Sequence, residues 1–241
     1  MKRLKLFTLP ILFAAFSGTS QAQQLNNNVK VDMTSAILKN VSVKYERVLN
    51  KTISINVGLK YRPTSDIPFS NTLVNMEVMD ASEEPVKFNS FAFTPEVRFY
   101  LNKNGYGEGF YLSPFYRFAT FNTNNLQIDY DGTYQTVRTS GKVTGHTGGV
   151  ALGVQWHFGE HVVLDWTIIG FHLGKAKGTL DGHPNTPFTA SEIYSLEGEV
   201  TEIEDSSIFT YDRTVTSDRI RDQITGPWGG IRAGIAIGYK F

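Results

Sequence analysis

The sequence contains no cysteine. Disulfides, thiolate metal ligands and a cysteine nucleophile are therefore excluded. It also has no excess of either charge: 23 Lys and Arg balance 23 Asp and Glu. That removes the overall field expected of a protein that grips nucleic acid or an acidic polymer. Zinc-ligand spacings and a phosphate-cradling glycine loop are missing too, so no cofactor is expected. Beyond residue 22, no apolar run approaches the ~20 residues that a membrane-crossing helix needs. If the chain enters a bilayer, it must do so with strands closed into a barrel.

The first residues are of a different kind. Lys2, Arg3 and Lys5 precede an apolar run over 6–16, and Ser17, Gly18, Thr19, Ser20 and Ala22 supply small residues. This layout predicts a secretory signal peptide over 1–22, cut after Ala22, with an apolar core too short to span a membrane; the alternative is a buried N-terminal helix. No cysteine follows the cut, so a lipoprotein anchor is not expected. Residues 23–241 are then read as one domain.

What the chain has in abundance is period-two alternation. In 52–62, Ile53, Ile55, Val57, Leu59 and Tyr61 share one face, and Ser54, Asn56, Gly58, Lys60 and Arg62 share the other. Segments 231–241, 91–101 and 41–46 repeat the pattern, and 110–118, 150–158 and 162–168 follow it less regularly. The phase blurs over 169–173, which suggests a bulge at Gly170. Segment 29–38 is the weakest. The total is eight, and most segments are near the ~9–11 residues of a tilted membrane strand.

Connection lengths sort by rim. Asn50-Lys51, Gly159-Glu160 and the glycine-rich 102–109 are short, whereas 63–87, 122–141 and 174–229 are long and polar. Every long connection leads from an odd strand to the next even one, so all three share a rim whose only short link is Lys39-Asn40. Short turns on one side and long loops on the other are the asymmetry of outer-membrane barrels. The expected fold is all-β: an eight-stranded antiparallel up-and-down transmembrane barrel with long extracellular loops.

A soluble, lipocalin-type barrel alternates in the same way with its apolar face inward. Three features favour the membrane version. Phe99, Phe110, Trp156, Phe158, Trp166, Trp228 and Tyr239 lie near strand ends, where a membrane girdle of aromatics would sit, with Phe241 closing the chain. The opposite face is rich in glycine and small residues, as a narrow interior requires. Phe241 ends an alternating strand, which resembles the C-terminal signal read by the barrel assembly machinery. With the apolar face toward lipid, the lumen receives Lys44, Glu46, Lys60, Arg62, Glu96, Arg98, Arg117, Asp165, Arg232 and Lys240, seven basic and three acidic. Opposite charges there should pair into a plug, because an unpaired buried ion costs several kcal/mol. An anion-selective path is the competing reading.

Particular stretches carry a family resemblance. Phe93-Thr94-Pro95-Glu96-Val97-Arg98-Phe99-Tyr100 is followed by Gly109-Phe110-Tyr111-Leu112-Ser113-Pro114-Phe115, with Val43-Lys44-Tyr45-Glu46-Arg47 before and Gly149-Val150-Ala151-Leu152-Gly153-Val154-Gln155-Trp156 after. Over most of 28–173 and the final strand this resembles an uncharacterised family of small Bacteroidota-type barrels, DUF3575, near the outer-membrane β-barrel domains. The resemblance implies the same fold and compartment, and brings no catalytic residues. The long acidic loop departs from it.

Two function classes follow. The favoured one is a monomeric structural or surface-interaction barrel in the bacterial outer membrane that meets lipid, lipopolysaccharide and an unidentified surface ligand. The alternative is a lipid-modifying enzyme or narrow solute conduit. His146, His157, His161, His172 and His183 are available, and His157, Asp165 and Ser113 are the conceivable set; a triad demands mutual hydrogen-bond reach. The loop 174–229 is acidic through Glu192, Glu197, Glu199, Glu202, Glu204 and Asp205. Its alternation over 193–201 and its apolar 208–211 predict a projecting β-hairpin; a variable solvated loop is the other reading.

Overall fold

The computed structural model describes residues 26–66, 87–102, 105–130, 133, 136–198 and 208–241. The expected signal peptide, most of the first long loop, and Glu199, Glu202, Glu204 and Asp205 lie outside the described residues. The order is β1 (Asn27–Asp32), α1 (Met33–Ile37), β2 (Val41–Val48), β3 (Ile53–Asp66), β4 (Lys87–Tyr100), β5 (Gly109–Asp129), β6 (Thr136–Phe158), β7 (Val162–His183), α2 (Ala190–Gly198), β8 (Thr210–Thr216) and β9 (Arg219–Lys240). No helix among the described residues is long and apolar enough to cross a membrane.

Neighbouring strands pair antiparallel from β1 through β7, β9 follows β7, and β9 pairs back onto β1 through Val31↔Ile237. Eight strands therefore close a ring, and β8 adds to the outer part of β9. Closure pairs the sheet edges at the short-turn end, where β9 meets β1 over Ala236–Lys240, and leaves 226–235 of β9 without a strand on that side among the described residues. Tight turns join the strands at one rim: Asn50 Oδ1 accepts from the Thr52 and Ile53 amides at 2.9 Å each, and Gly159 takes φ 64°.

The pleat sends alternate residues to opposite sides. Even-numbered residues of β1, β2, β4 and β9 and of β3 up to Arg62 face the lumen, as do odd-numbered residues of β6, of β5 up to Thr123 and of β7 up to Thr167. Val43, Leu59, Phe93, Leu112, Val150, Trp166 and Ile235 are exposed on the outside. One correction concerns phase. β7 carries its extra residue at Ile168, before the Gly170 that the sequence suggested, where Leu152↔Ile169 is followed by Gly153↔Thr167. A single inserted residue reverses parity. Beyond it Gly170, His172, Gly174 and Ala176 face inward, and Phe171 and Leu173 face outward.

Three further expectations are corrected. The first strand stops at Asp32 instead of running to 38, because Asp32 Oδ1 accepts the Ser35 amide at 2.9 Å and caps α1. The second and third long connections, 122–141 and 174–229, contain long strand extensions among the described residues: β5, β6, β7 and β9 run 21, 23, 22 and 22 residues, about twice the apolar stretch of each. Finally, 190–198 is helical, and the hairpin is formed by β8 and β9 with Val215↔Ile220. Thr189 and Glu192 form a reciprocal capping box: the Thr189 amide donates to Glu192 Oε2 at 2.8 Å and the Glu192 amide to Thr189 Oγ1 at 3.3 Å.

The extended strands and α2 enclose a second core of Tyr130, Val137, Phe188, Leu196, Val215 and Ile220. Arg213 grips Asp222 with Nε–Oδ1 2.7 Å and Nη2–Oδ2 3.2 Å, and its Nη1 donates to Leu196 O at the end of α2. This upper lobe is a folded extension of the barrel wall.

Candidate functional site in the lumen

Packing inside a narrow ring forces ions together. Lys30 Nζ, on β1, donates to Glu46 Oε2 at 2.7 Å, Gln155 Oε1 at 2.7 Å and Asp165 Oδ2 at 2.8 Å. Arg98 shares two of these partners at close range from β4 and adds Glu96: Nη2 lies 2.6 Å from Glu96 Oε1 and 2.9 Å from Asp165 Oδ2, and Nη1 donates to Gln155 Oε1 at 3.1 Å. The remaining carboxylate lone pairs are also taken. Tyr100 donates to Glu46 Oε1 at 2.7 Å, Tyr111 to Asp165 Oδ1 at 2.7 Å and Asn56 to Glu96 Oε1 at 2.8 Å. Arg232 pairs with Glu96. Arg98 also lies over the Tyr111 ring at 4.2 Å. Lys30, Arg98 and Arg232 thus balance Glu46, Glu96 and Asp165.

The floor of this plug is built by the turn between β4 and β5. Gln155 Nε2 donates to Gly107 O at 2.6 Å. Gly107 (φ 84°) and Gly109 (φ 102°) hold left-handed conformations that favour glycine. A side chain at Gly109 would meet Asn102.

Five of the ten lumen charges inferred from sequence belong to this network: Glu46, Glu96, Arg98, Asp165 and Arg232. Lys44 pairs instead with Asp32 at 3.3 Å. Arg62 is buried, donates to Leu38 O at 2.8 Å and covers the Phe88 ring at 4.4 Å. Lys240 is half-buried near the short-turn rim. Lys60 and Arg117 are half-buried higher up, with Arg117 Nη1 at 3.5 Å from Thr94 Oγ1. The reading from sequence missed Lys30 and Asp32, although Val29 and Val31 on the outer face aim both inward. Lys30 alone joins Glu46, Gln155 and Asp165 from β1.

Above the plug, on the side of α1, a cavity of about 50 Å³ remains. Lys44, Lys60, Arg117 and Arg232 line it, with Thr94 and Asp32 between them. The lumen therefore has two layers: a neutralised plug near the short turns, and a basic vestibule toward the long connections.

The conceivable catalytic set is not assembled. Both Asp165 oxygens are occupied by Lys30, Arg98 and Tyr111, while His157 Nδ1 lies 3.9 Å from Glu108 at the floor. Ser113 is fully buried without a hydrogen-bond partner for its Oγ among the described residues. His146 is on the outer face, with Nδ1 2.5 Å from the Tyr116 hydroxyl. Among the described residues no group of three acidic or His side chains is placed to hold a metal.

Phe99, Phe110, Trp156, Phe158, Trp166, Tyr239 and Phe241 are all exposed on the outer surface. They lie toward the short-turn rim, linked by pairings such as Phe158↔Val162 and Val162↔Tyr239. Trp228 departs from this set. It faces inward against the open surface of Gly145, with its ring 5.8 Å from that of Phe121.

No curated protein matches this chain. A family model does, over residues 7–178, ending within β7 and leaving α2, β8 and β9 beyond the matched region. Its description is "Protein of unknown function (DUF3575)", and the chain belongs to that family.

Proposed function

We propose that this protein is an outer-membrane β-barrel with a structural or surface-interaction role, its lumen plugged and its long connections raised as a folded lobe outside the cell. The observation that carries this reading is inverted polarity. Lys30, Glu46, Arg98 and Asp165 are fully buried in the centre, whereas Val43, Leu59, Phe93, Val150 and Ile235 are exposed around the outside. In water that arrangement wastes the hydrophobic effect; in acyl chains it is favourable. The apolar stretch 150–158 gives a band roughly 23 Å tall at ~3.3 Å per residue and ~40° tilt, close to the ~25 Å of outer-membrane barrels.

On this reading a cleaved signal peptide exports the chain, and Phe241 is the handle for the assembly machinery. The outer belt meets lipid and lipopolysaccharide, and the monomer suffices because the ring closes on itself. The upper lobe is the surface for an external ligand. The balanced ion cluster supports a plug over a conduit, since eight strands leave an interior only wide enough for side chains.

Fractionation and heat-modifiable gel mobility test the reading. The full chain should sediment with outer membranes and migrate differently before and after boiling. In planar bilayers it should give no large, steady single-channel steps. Recovery in the soluble periplasmic fraction, without heat modifiability, would rule the proposal out.

A further inference from the structure

We propose that the vestibule above the plug is a binding site for one phosphate-type oxyanion, held by Lys60 and Arg117 with Lys44 and Arg232 beside them. Charge is the first ground. The plug is neutral within itself, and Asp32, the vestibule's own carboxylate, is committed to Lys44 and to the α1 amide of Ser35. Lys60 and Arg117 have no carboxylate within ion-pair distance among the described residues. Two half-buried cations facing one cavity repel each other unless an anion lies between them.

Space is the second ground. A cavity of about 50 Å³ is several times the ~10–15 Å³ that a single water needs on the same scale. That suits a tetrahedral group with four oxygens. Gly58 keeps the space open: a Cβ there would make only ordinary contacts, the nearest at 3.7 Å from Thr94 O. The lining offers what an oxyanion takes, a guanidinium, ammonium groups and the Thr94 hydroxyl, and little apolar surface.

The wall beside the vestibule shows how such a group can arrive. β9 pairs with β8 only over Arg219–Thr225 and with β1 only over Ala236–Lys240. Between these, among the described residues, no strand covers that edge of β9; α1 lies against its lower end, where the Ile235 amide donates to Thr34 Oγ1 at 2.9 Å. Arg232 and Ala233, from the two faces of this unpaired stretch, both line the cavity. Exposed Ile231 and Ile37 flank the seam. The phosphate group is therefore either a free ion or the head of a lipid that slides in sideways with its acyl chains left outside. The site requires only the closed ring, so it stands or falls separately from the membrane location.

The test uses the full chain refolded in a zwitterionic detergent, with inorganic phosphate as the probe and chloride at matched ionic strength as the control. Phosphate should raise the midpoint of thermal unfolding and chloride should not. Lys60→Met and Arg117→Met should each weaken phosphate binding about tenfold or more, as expected for loss of a charge-assisted contact. Without phosphate both variants should melt at or above the wild-type temperature, because repulsion is relieved; a merely structural ion pair would give the opposite sign. Gly58→Val fills the cavity and leaves every cation in place, and should abolish the phosphate response. Lys177→Met, on the exposed lobe, should change nothing. Displacement of phosphate by micellar phosphatidic acid assigns the lipid source, and failure to displace it assigns the free ion. Equal effects of phosphate and chloride, or an undiminished response in the Lys60→Met/Arg117→Met double variant, would overturn the proposal.

Discussion

Lys30 Nζ lies 2.8 Å from Asp165 Oδ2, joining residues 135 apart in sequence. Their strands, β1 and β7, are the two neighbours of β9 in the ring. The ion pair therefore crosses behind the closing strand and ties the start of the barrel to its end. Both side chains have zero exposure, so the bond is shielded from salt and from exchange with water.

Lys30→Met should strongly destabilise the barrel. It leaves Glu46 and Asp165 short of a shared cation in a sealed site, and breaking a buried pair from one side costs about 3–5 kcal/mol. Urea unfolding of the refolded barrel should show the loss. The Lys30→Met/Asp165→Leu pair should recover part of it, because fewer unmatched charges remain.

Gly153→Ala should destabilise the barrel by overpacking. Its Cβ would run into the Tyr111 ring and lie 2.8 Å from the Trp166 carbonyl oxygen. Shifting Tyr111 would also disturb its hydrogen bond to Asp165. A cost of about 1–3 kcal/mol or more follows, measurable as a lower unfolding midpoint. Gly198→Ala, whose Cβ would meet nothing within 4 Å among the described residues, is the matched control.

The upper lobe should come apart without the barrel. Leu196 has zero exposure in the second core, so Leu196→Ala should remove about 2–5 kcal/mol from the lobe. Limited proteolysis should then cut near α2 and β8, while heat-modifiable mobility stays unchanged. Replacing 184–218 by a short turn should give the same barrel, since β7 and β9 still pair from Gly182↔Ile220 downward.

Acid should loosen the tip of the lobe. Hydrogen bonds from Arg219 and then Arg221 hold the Asp181 carboxyl well below the usual aspartate range. A depressed folded pKa means that the contribution is present above the unfolded value of ~3.9 and fades as pH falls below it. Protease resistance of the β7–β9 tip should drop in that window. Asp181→Asn should already show the drop at neutral pH and lose the acid dependence.

Much of this architecture is legible in the residues, and what is not has physical reasons. Alternating hydropathy marks a strand only where one face meets an apolar surroundings. The sequence therefore shows 150–158 of β6 plainly and hides 136–148, where Arg138, Ser140, Lys142 and Thr144 face outward. Ile193 to Gly198 alternates by chance within α2, and the stronger signal lay just before it in Thr189-x-x-Glu192. Trp228 near a segment start resembles a girdle aromatic, yet inward parity puts it over Gly145. The lumen charges were readable because parity aims them inward. Their partners were not, because Lys30 meets Gln155 and Asp165 across the ring, at heights set by strand tilt that no linear pattern encodes.

The central claim, that the apolar outer surface lies in lipid around a sealed ionic centre, is tested most directly by quenching Trp156 and Trp166. With Trp228→Phe, these are the two tryptophans left of three. In vesicles containing brominated acyl chains their fluorescence should fall strongly, and aqueous iodide should leave it nearly unchanged. Strong quenching by iodide with none from the brominated lipid would contradict the account.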